Sequence, residues 1–321
     1  MRPQAIVAEN LTRKYGELTA VDGVSFDIRE HDIVGLLGHN GAGKTTIMKM
    51  VTGYLEPTGG RVLVDGLDIE SDRGAAQARM GYLPENCPLY PEMTVVDYLD
   101  YAAELRGVVV EKRPAAIRRA IEATELFEKA PQPIGILSRG FQQRVGVAQA
   151  ILHDPKILIL DEPTNGLDPS QIRHMRDLIR RLAETATVIL STHILQEVQA
   201  VCDRVIIIHR GQVALDSPLA DLRTGGRLRL VTDGPPDETE AVLGAIEPIE
   251  GVECIDDRGP GRAYALGLNG HDPNEVAPVV ARAVHEKGYR LFALHPEQRD
   301  IETIFAQIAA GGTANAEVAH V

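Results

Sequence analysis

Positive charge is in short supply: 33 Lys and Arg stand against 46 Asp and Glu, a formal net charge of −13. A chain with that balance has no overall positive field to gather DNA, RNA or anionic lipid, so nucleic acid is not an expected partner. Cysteine is scarce too. Cys87, Cys202 and Cys254 lie far apart, with no CxxC arrangement, which argues against a disulfide framework or a zinc cluster and for free thiols in a reducing compartment. No apolar run reaches the roughly 18 residues that a membrane span needs, and the opening MRPQAIVAEN holds no apolar segment of signal-peptide length. The expectation is a cytoplasmic chain that meets a membrane only through a partner. What is there is the balance of a folded protein, 321 residues with 44% hydrophobic and 25% charged, enough for about two domains.

Short apolar segments at 33–37, 157–160, 188–190 and 205–208 alternate with longer stretches of helical spacing. That is the pattern of a buried sheet between helices, an α/β core. Residues 94–130 differ. Val95, Val96, Leu99, Ala102, Ala103 and Leu105, then Ile117, Ile121 and Leu126, follow helical spacing without a strand between, which predicts a small helical subdomain inserted in the core. Gly225, Gly226, Gly234, Pro235 and Pro236 then mark a boundary near 220–226. Beyond it the pattern predicts strand 227–232, helix 237–247, strands 251–256 and 262–268, helix 274–288 and strand 289–294, a split βαβ order. Residues 225–310 carry 8 basic and 15 acidic residues, which again disfavours nucleic acid. The tail 311–321 is small and polar and is expected to be disordered.

Gly38-His39-Asn40-Gly41-Ala42-Gly43-Lys44-Thr45-Thr46 follows the apolar segment 33–37 and leads into helical spacing. Strand, glycine-rich loop and helix in that order form a phosphate cradle. The glycines let backbone N–H groups converge on phosphate oxygens, the helix amino terminus adds its dipole, Lys44 reaches the β and γ phosphates, and Thr45 offers a hydroxyl to Mg²⁺. The next apolar segment ends in Asp161-Glu162, at the strand end where open α/β sheets bind ligands. Asp161 is assigned to Mg²⁺ and Glu162 to the attacking water, because phosphoryl transfer needs charge neutralisation and an oriented nucleophile. His193 closes another apolar strand, where its imidazole can sense a γ-phosphate.

Taken in order, these motifs resemble the ATP-binding subunits of ABC transporters over residues 5 to about 220. Leu137-Ser138-Arg139-Gly140-Phe141 is similar to the ABC signature, Glu162 through Pro169 to the stretch joining the catalytic glutamate to the D-loop, and Ser191-Thr192-His193 to the switch-histidine motif. Tyr15 stands where the family stacks a ring on adenine. The resemblance implies a P-loop NTPase core of the ABC ATPase type over residues 1–222, with its helical subdomain at about 87–140. A small α+β domain would follow over 223–310, then the tail 311–321. It further implies ATP and Mg²⁺ as cofactors, and a homodimer holding two ATP molecules between the phosphate loop of one copy and the signature of the other. Ser138, Arg139, Gly140, Phe141 and Asp168 then join the nucleotide site. Ser138 and Asp168 also stand where residues cap helices.

Two departures stand out. Arg139 and Phe141 replace the commonest Gly and Gln of the signature, and Glu85 occupies the Q-loop glutamine position, where a carboxylate can also ligate Mg²⁺. The run Tyr82-Leu83-Pro84-Glu85-Asn86 with Pro88-Leu89-Tyr90 and Met93-Thr94-Val95 is most similar to exporter ATPases of the drug, polysaccharide and gliding-motility class. There, a separate transmembrane permease would dock on the surface at 86–110, through Leu89, Tyr90, Met93 and Tyr98, with Tyr98 and Tyr101 equally open to a core role. Asp300 to Phe305 resembles the closing helix of a carboxyl-terminal extension. The competing reading is a soluble ABC ATPase acting on nucleic acid or the ribosome, which the single phosphate loop and the lack of heptads and of a basic stripe disfavour.

Overall fold

The computed structural model describes residues 3–256, 261–268, 271–298 and 305. They fall into two compact units, one built on Met1–Ser217 and one on Pro218–Ala306. The first contains a six-stranded sheet in the order Gln212–Pro218, Arg204–His209, Ile33–Leu37, Thr187–Thr192, Ile157–Asp161 and Met80–Leu83. The four pairings between the last five strands are parallel. Strands covered on both faces must be apolar throughout, and Ile157–Asp161 and Thr187–Thr192 are buried at every position. Register matters for the site. Leu37 pairs with Thr192, Asp161 with Ser191 and Leu83 with Leu160, so Gly38, His193, Glu162 and the Glu85 turn leave the sheet along one edge.

A second, antiparallel sheet runs Leu18–Arg29, Gln4–Tyr15, Gly59–Val64 and Leu67–Asp68. Between the two sheets lies helix Lys44–Val51. Its Ile47, Met48, Met50 and Val51 share one core with Ile6, Val21 and Val62 of the antiparallel sheet and with Val34, Ile159 and Ile206 of the parallel one. Burying the helix on both sides fixes its amino terminus at the carboxyl end of Ile33–Leu37.

Helices Val95–Leu105, Arg113–Ala123 and Arg139–Ile151 follow one another as the spacing predicts, around Leu99, Ile117, Ile121, Leu126, Ile134 and Val145. Thr94 starts the first by accepting the Asp97 N–H at 3.2 Å. Tyr98 belongs to this core at 5% exposure and is not a partner-facing residue, whereas Tyr90 and Tyr101 stay outside at 44% and 41%. Their rings meet edge to face, with centroids 5.8 Å apart. Among the described residues no helix is long and apolar enough to cross a membrane.

The second unit opens with helix Leu219–Arg223, whose buried Leu219 and Leu222 place it a few residues ahead of the boundary read from glycine and proline content. Strand Thr224–Thr232, helix Pro236–Gly244, strands Gly251–Asp256 and Arg262–Gly267, helix Pro273–Glu286 and strand Leu291–Gln298 complete it. The sheet order Gly251–Asp256, Arg262–Gly267, Thr224–Thr232, Leu291–Gln298 is antiparallel throughout, the split βαβ arrangement. Leu228, Leu230, Tyr264, Leu266, Val276 and Val280 form its core. Helix Pro236–Gly244 stops short of the predicted residue 247, because the Ile246 N–H turns back to the Leu243 carbonyl. The proposed closing helix, apart from Phe305, and the tail 311–321 lie outside the described residues.

Candidate active site

The phosphate loop leaves its strand through Gly38, whose N–H donates to the Thr192 carbonyl at 3.4 Å. A Cβ at Gly38 would sit 2.5 Å from the Ile208 carbonyl oxygen, so the loop passes closer to the neighbouring strand than any side chain permits. Gly43 caps helix Lys44–Val51 with φ +107, a left-handed value that only glycine adopts without strain. Four N–H groups at the start of any helix lack intrahelical acceptors, which suits an anion. His39, Asn40 and Gly41 form the exposed rim while Ala42 is buried; Thr45 and Thr46 are half-buried. Lys44 is buried and folds back across the loop, its Nζ donating to the Gly38 carbonyl at 2.7 Å and to the His39 carbonyl at 3.3 Å. The ammonium therefore sits at the centre of the cradle.

Asp161 is fully buried. Its Oδ1 accepts hydrogen bonds from Ser191 Oγ and, at 3.4 Å, from Thr45 Oγ1, while Oδ2 has no partner. Burial raises its carboxyl pKa above the ordinary value, against the pull of the two hydroxyls. Glu162 follows with φ +50, a left-handed conformation costly for a glutamate and found where function over-determines the backbone. Its N–H is held by the Ser191 carbonyl at 3.2 Å and by Ser191 Oγ at 3.1 Å. The twist leaves the side chain buried between two bases, with Oε1 3.4 Å from Lys44 Nζ and Oε2 2.9 Å from His193 Nδ1. A cationic cradle, a carboxylate with a vacant lone pair and a second carboxylate tied to an imidazole together meet the needs of phosphoryl transfer to water.

The signature residues divide among several neighbours. Ser138 is exposed at the start of helix Arg139–Ile151, and its side chain makes no capping hydrogen bond, so the capping role expected for it is not used. Arg139 Nε donates to the Asn165 carbonyl at 3.1 Å. Gly140 is buried, and the Phe141 ring packs on the helical core with Lys129 and Arg144 over its face at 5.3 and 5.5 Å. Asp168 does cap helix Pro169–Ala183, its Oδ1 accepting from the Ser170 and Gln171 N–H groups at 2.9 Å. Glu85 is joined to this segment through Asn165, whose Nδ2 lies 3.4 Å from Glu85 Oε1.

A family model described as ABC transporter matches residues 21–165. The linearmycin resistance ATP-binding protein LnrL of Bacillus subtilis is 34% identical over 311 residues, spanning 94% of this chain and 97% of its own length. The chain belongs to the ABC transporter ATP-binding proteins. Another relative, the bacitracin transport ATP-binding protein BcrA of Bacillus licheniformis, is 37% identical over 69% of this chain and 72% of its own. Among solved structures, a dimeric ATP-binding cassette in a post-hydrolysis state with ADP and Pi is 25% identical, with a TM-score of 0.60 over 67% of this chain and 98% of that one. As a member of this family the chain is an ATPase, the ATP-binding subunit of a transporter.

Three residues of this ABC ATPase carry geometry that no motif announced. Ser191 ties Asp161 to the Glu162 backbone. Glu197 is buried and accepts the Thr192 hydroxyl at 2.7 Å, bracing the strand end that carries His193. Arg13 stacks over the Tyr15 ring at 4.7 Å, backing one face of an aromatic that is 47% exposed. Arg13, two residues from Tyr15 in sequence, offered a local signal, since alternate residues of a strand share a face, and Ser191 stands in the switch-histidine stretch without its bond to Asp161 being announced there.

Proposed function

We propose that two copies of this ABC ATPase close around two ATP molecules and drive a separate transmembrane permease, as the peripheral cytoplasmic half of an exporter. The observation that carries the reading is Glu162, buried between Lys44 and His193 at the edge where the phosphate loop opens. Glu162 orients water and takes its proton as oxygen attacks the γ-phosphorus and the bond to ADP breaks. Lys44 offsets charge on the β and γ phosphates, and His193 holds the Glu162 carboxylate. Tyr15, backed by Arg13, stacks on adenine.

The residues fit Mg²⁺. Asp161 Oδ2 is a buried oxygen without a hydrogen-bond partner, and the Thr45 hydroxyl lies against the other oxygen of the same carboxylate. One carboxylate and one hydroxyl, completed by phosphates and water, are the donor set this ion uses, with Glu85 a further oxygen nearby. When bound, Mg²⁺ would neutralise charge on the transferring phosphoryl group.

The exposed Ser138 hydroxyl and the amino terminus of its helix form a second anion site, which supports a role toward the nucleotide of the other copy. Tyr90, Tyr101, Leu105, Val109 and Val110 leave apolar side chains exposed on the helical subdomain, which suits a membrane partner. Exporter direction is supported by relatives named for linearmycin resistance and bacitracin transport. To test the reading, the chain is tagged, membranes are solubilised in mild detergent and the co-purifying proteins are identified. A stoichiometric multi-span protein is expected; a ribosome-bound or DNA-bound pool without one refutes it.

A further inference from the structure

Glu85 and Arg139 introduce opposite charges at two positions where the family pattern has neutral residues, and in the fold both bind Asn165. Asn165 Nδ2 donates to Glu85 Oε1 at 3.4 Å, and the Asn165 carbonyl accepts from Arg139 Nε at 3.1 Å. The guanidinium also covers Gly166, where φ is +74 and a Cβ would lie 2.8 Å from Arg139 Nε. Beside it Gly140 rests on the Gln171 amide, with a Cβ position 2.6 Å from Cδ. Gln171 in turn completes the capping box with Asp168. Residues 162–171 are thus gripped from the Q-loop side by a carboxylate and from the signature side by a guanidinium. Within the segment, the Asn165 N–H returns to the Glu162 carbonyl at 3.1 Å and the Leu167 N–H to that of Thr164 at 3.1 Å.

We propose that Asn165 is a positioning residue that makes Glu85 and Arg139 a single charge-balanced brace, which holds the turn after Glu162 so that this carboxylate stays at Lys44 and His193. The brace rests on the reading of Glu162 given above. The Arg139 charge offsets the carboxylate that Glu85 brings near the nucleotide, so each depends on the other. Exchanging either for the neutral family residue cuts the brace, so exchanging the second as well has little left to remove.

The test is a double-mutant cycle on the full chain with Glu85→Gln, Arg139→Gly and both together. Each single change is expected to lower kcat about five-fold with KM for ATP within about two-fold, and the double variant to be no slower than about five-fold below the parent, because coupled residues are non-additive. A double variant as slow as the product of the singles overturns the pairing. Amide exchange of the nucleotide-free chain, read by mass spectrometry over 162–168, tests the brace without turnover. Asn165→Ala is expected to speed exchange at Asn165 and Leu167 at an unchanged global unfolding midpoint, and parental exchange overturns the proposal. A parent chain with no ATPase activity would refute the role given to Glu162, while the exchange measurement still decides whether the brace exists.

Discussion

Replacing Glu162 by glutamine is the most discriminating single change at the site. The exchange keeps shape and keeps an amide oxygen to face His193 Nδ1, now 2.9 Å from Oε2, but removes the charge 3.4 Å from Lys44 Nζ and the capacity to accept a proton from water. At that separation the lost attraction is about 5 kcal/mol with an effective dielectric of 20. Much of it returns, because the buried carboxylate no longer pays its desolvation penalty and Lys44 gains phosphate oxygens when ATP binds. Stability and ATP affinity are therefore expected to hold. The chemical step has no such compensation. Loss of a positioned general base costs about 10²- to 10⁴-fold, or about 3 to 5 kcal/mol of barrier. Phosphate release at saturating Mg²⁺ and ATP should fall by that factor, and the variant should elute as an ATP-loaded dimer where the parent turns over. Turnover at the parental rate would refute the assignment of Glu162.

Gly81→Ala places a Cβ 2.2 Å from the Ala150 carbonyl oxygen, forcing helix Arg139–Ile151 off its strand; denaturant unfolding should show a loss of about 1–3 kcal/mol. Ser191→Ala removes the hydroxyl that donates to Asp161 and accepts the Glu162 N–H, so kcat is expected to fall further than KM for ATP changes, with a stability cost of about 1–3 kcal/mol by denaturant titration. Burial lowers the His153 pKa below the ordinary 6.5 of a histidine, while Nε2 lies 3.0 Å from the Met80 carbonyl and Nδ1 has no partner. The unfolded chain therefore takes up a proton that the fold resists, and stability is expected to fall as pH drops below 6.5 toward the folded value. His153→Gln, compared with the parent by thermal unfolding at neutral and mildly acidic pH, should flatten that loss.

The parallel sheet and its loops were legible in the sequence because each rests on a contiguous signal. Ile33–Leu37 and Ile157–Asp161 are buried at nearly every position, so the apolar run marks the strand and its end marks the site. The antiparallel sheet was not read. Strands Gln4–Tyr15 and Leu18–Arg29 alternate imperfectly, and their pairing shifts register between Gln4 and Ile6, Ala8 and Leu11, Leu11 and Arg13, and Arg13 and Lys14. Each such irregularity breaks the period-two pattern on which a strand is recognised. The contacts of Ser191 and Asn165, which stand within the named motifs, were hidden for another reason: their partners Asp161 and Glu85 lie 30 and 80 residues away in sequence.

The signature shows how far a motif can be read without the fold. Successive residues at a helix start point about 100° apart, so adjacent positions of Ser138-Arg139-Gly140-Phe141 meet different neighbours. Ser138 faces outward, Arg139 grips Asn165, Gly140 lies on Gln171, and Phe141 packs into the helical core under Lys129 and Arg144. Replacing the commonest Gly and Gln with Arg and Phe therefore adds a grip on the D-loop segment and an anchor to the helical subdomain. The exposed Ser138 hydroxyl and the helix amino terminus remain available to an anion. A signature fastened at both ends moves with the turn that follows Glu162, and that linkage is what makes exchange at Asn165 and Leu167 a sensitive report on Arg139.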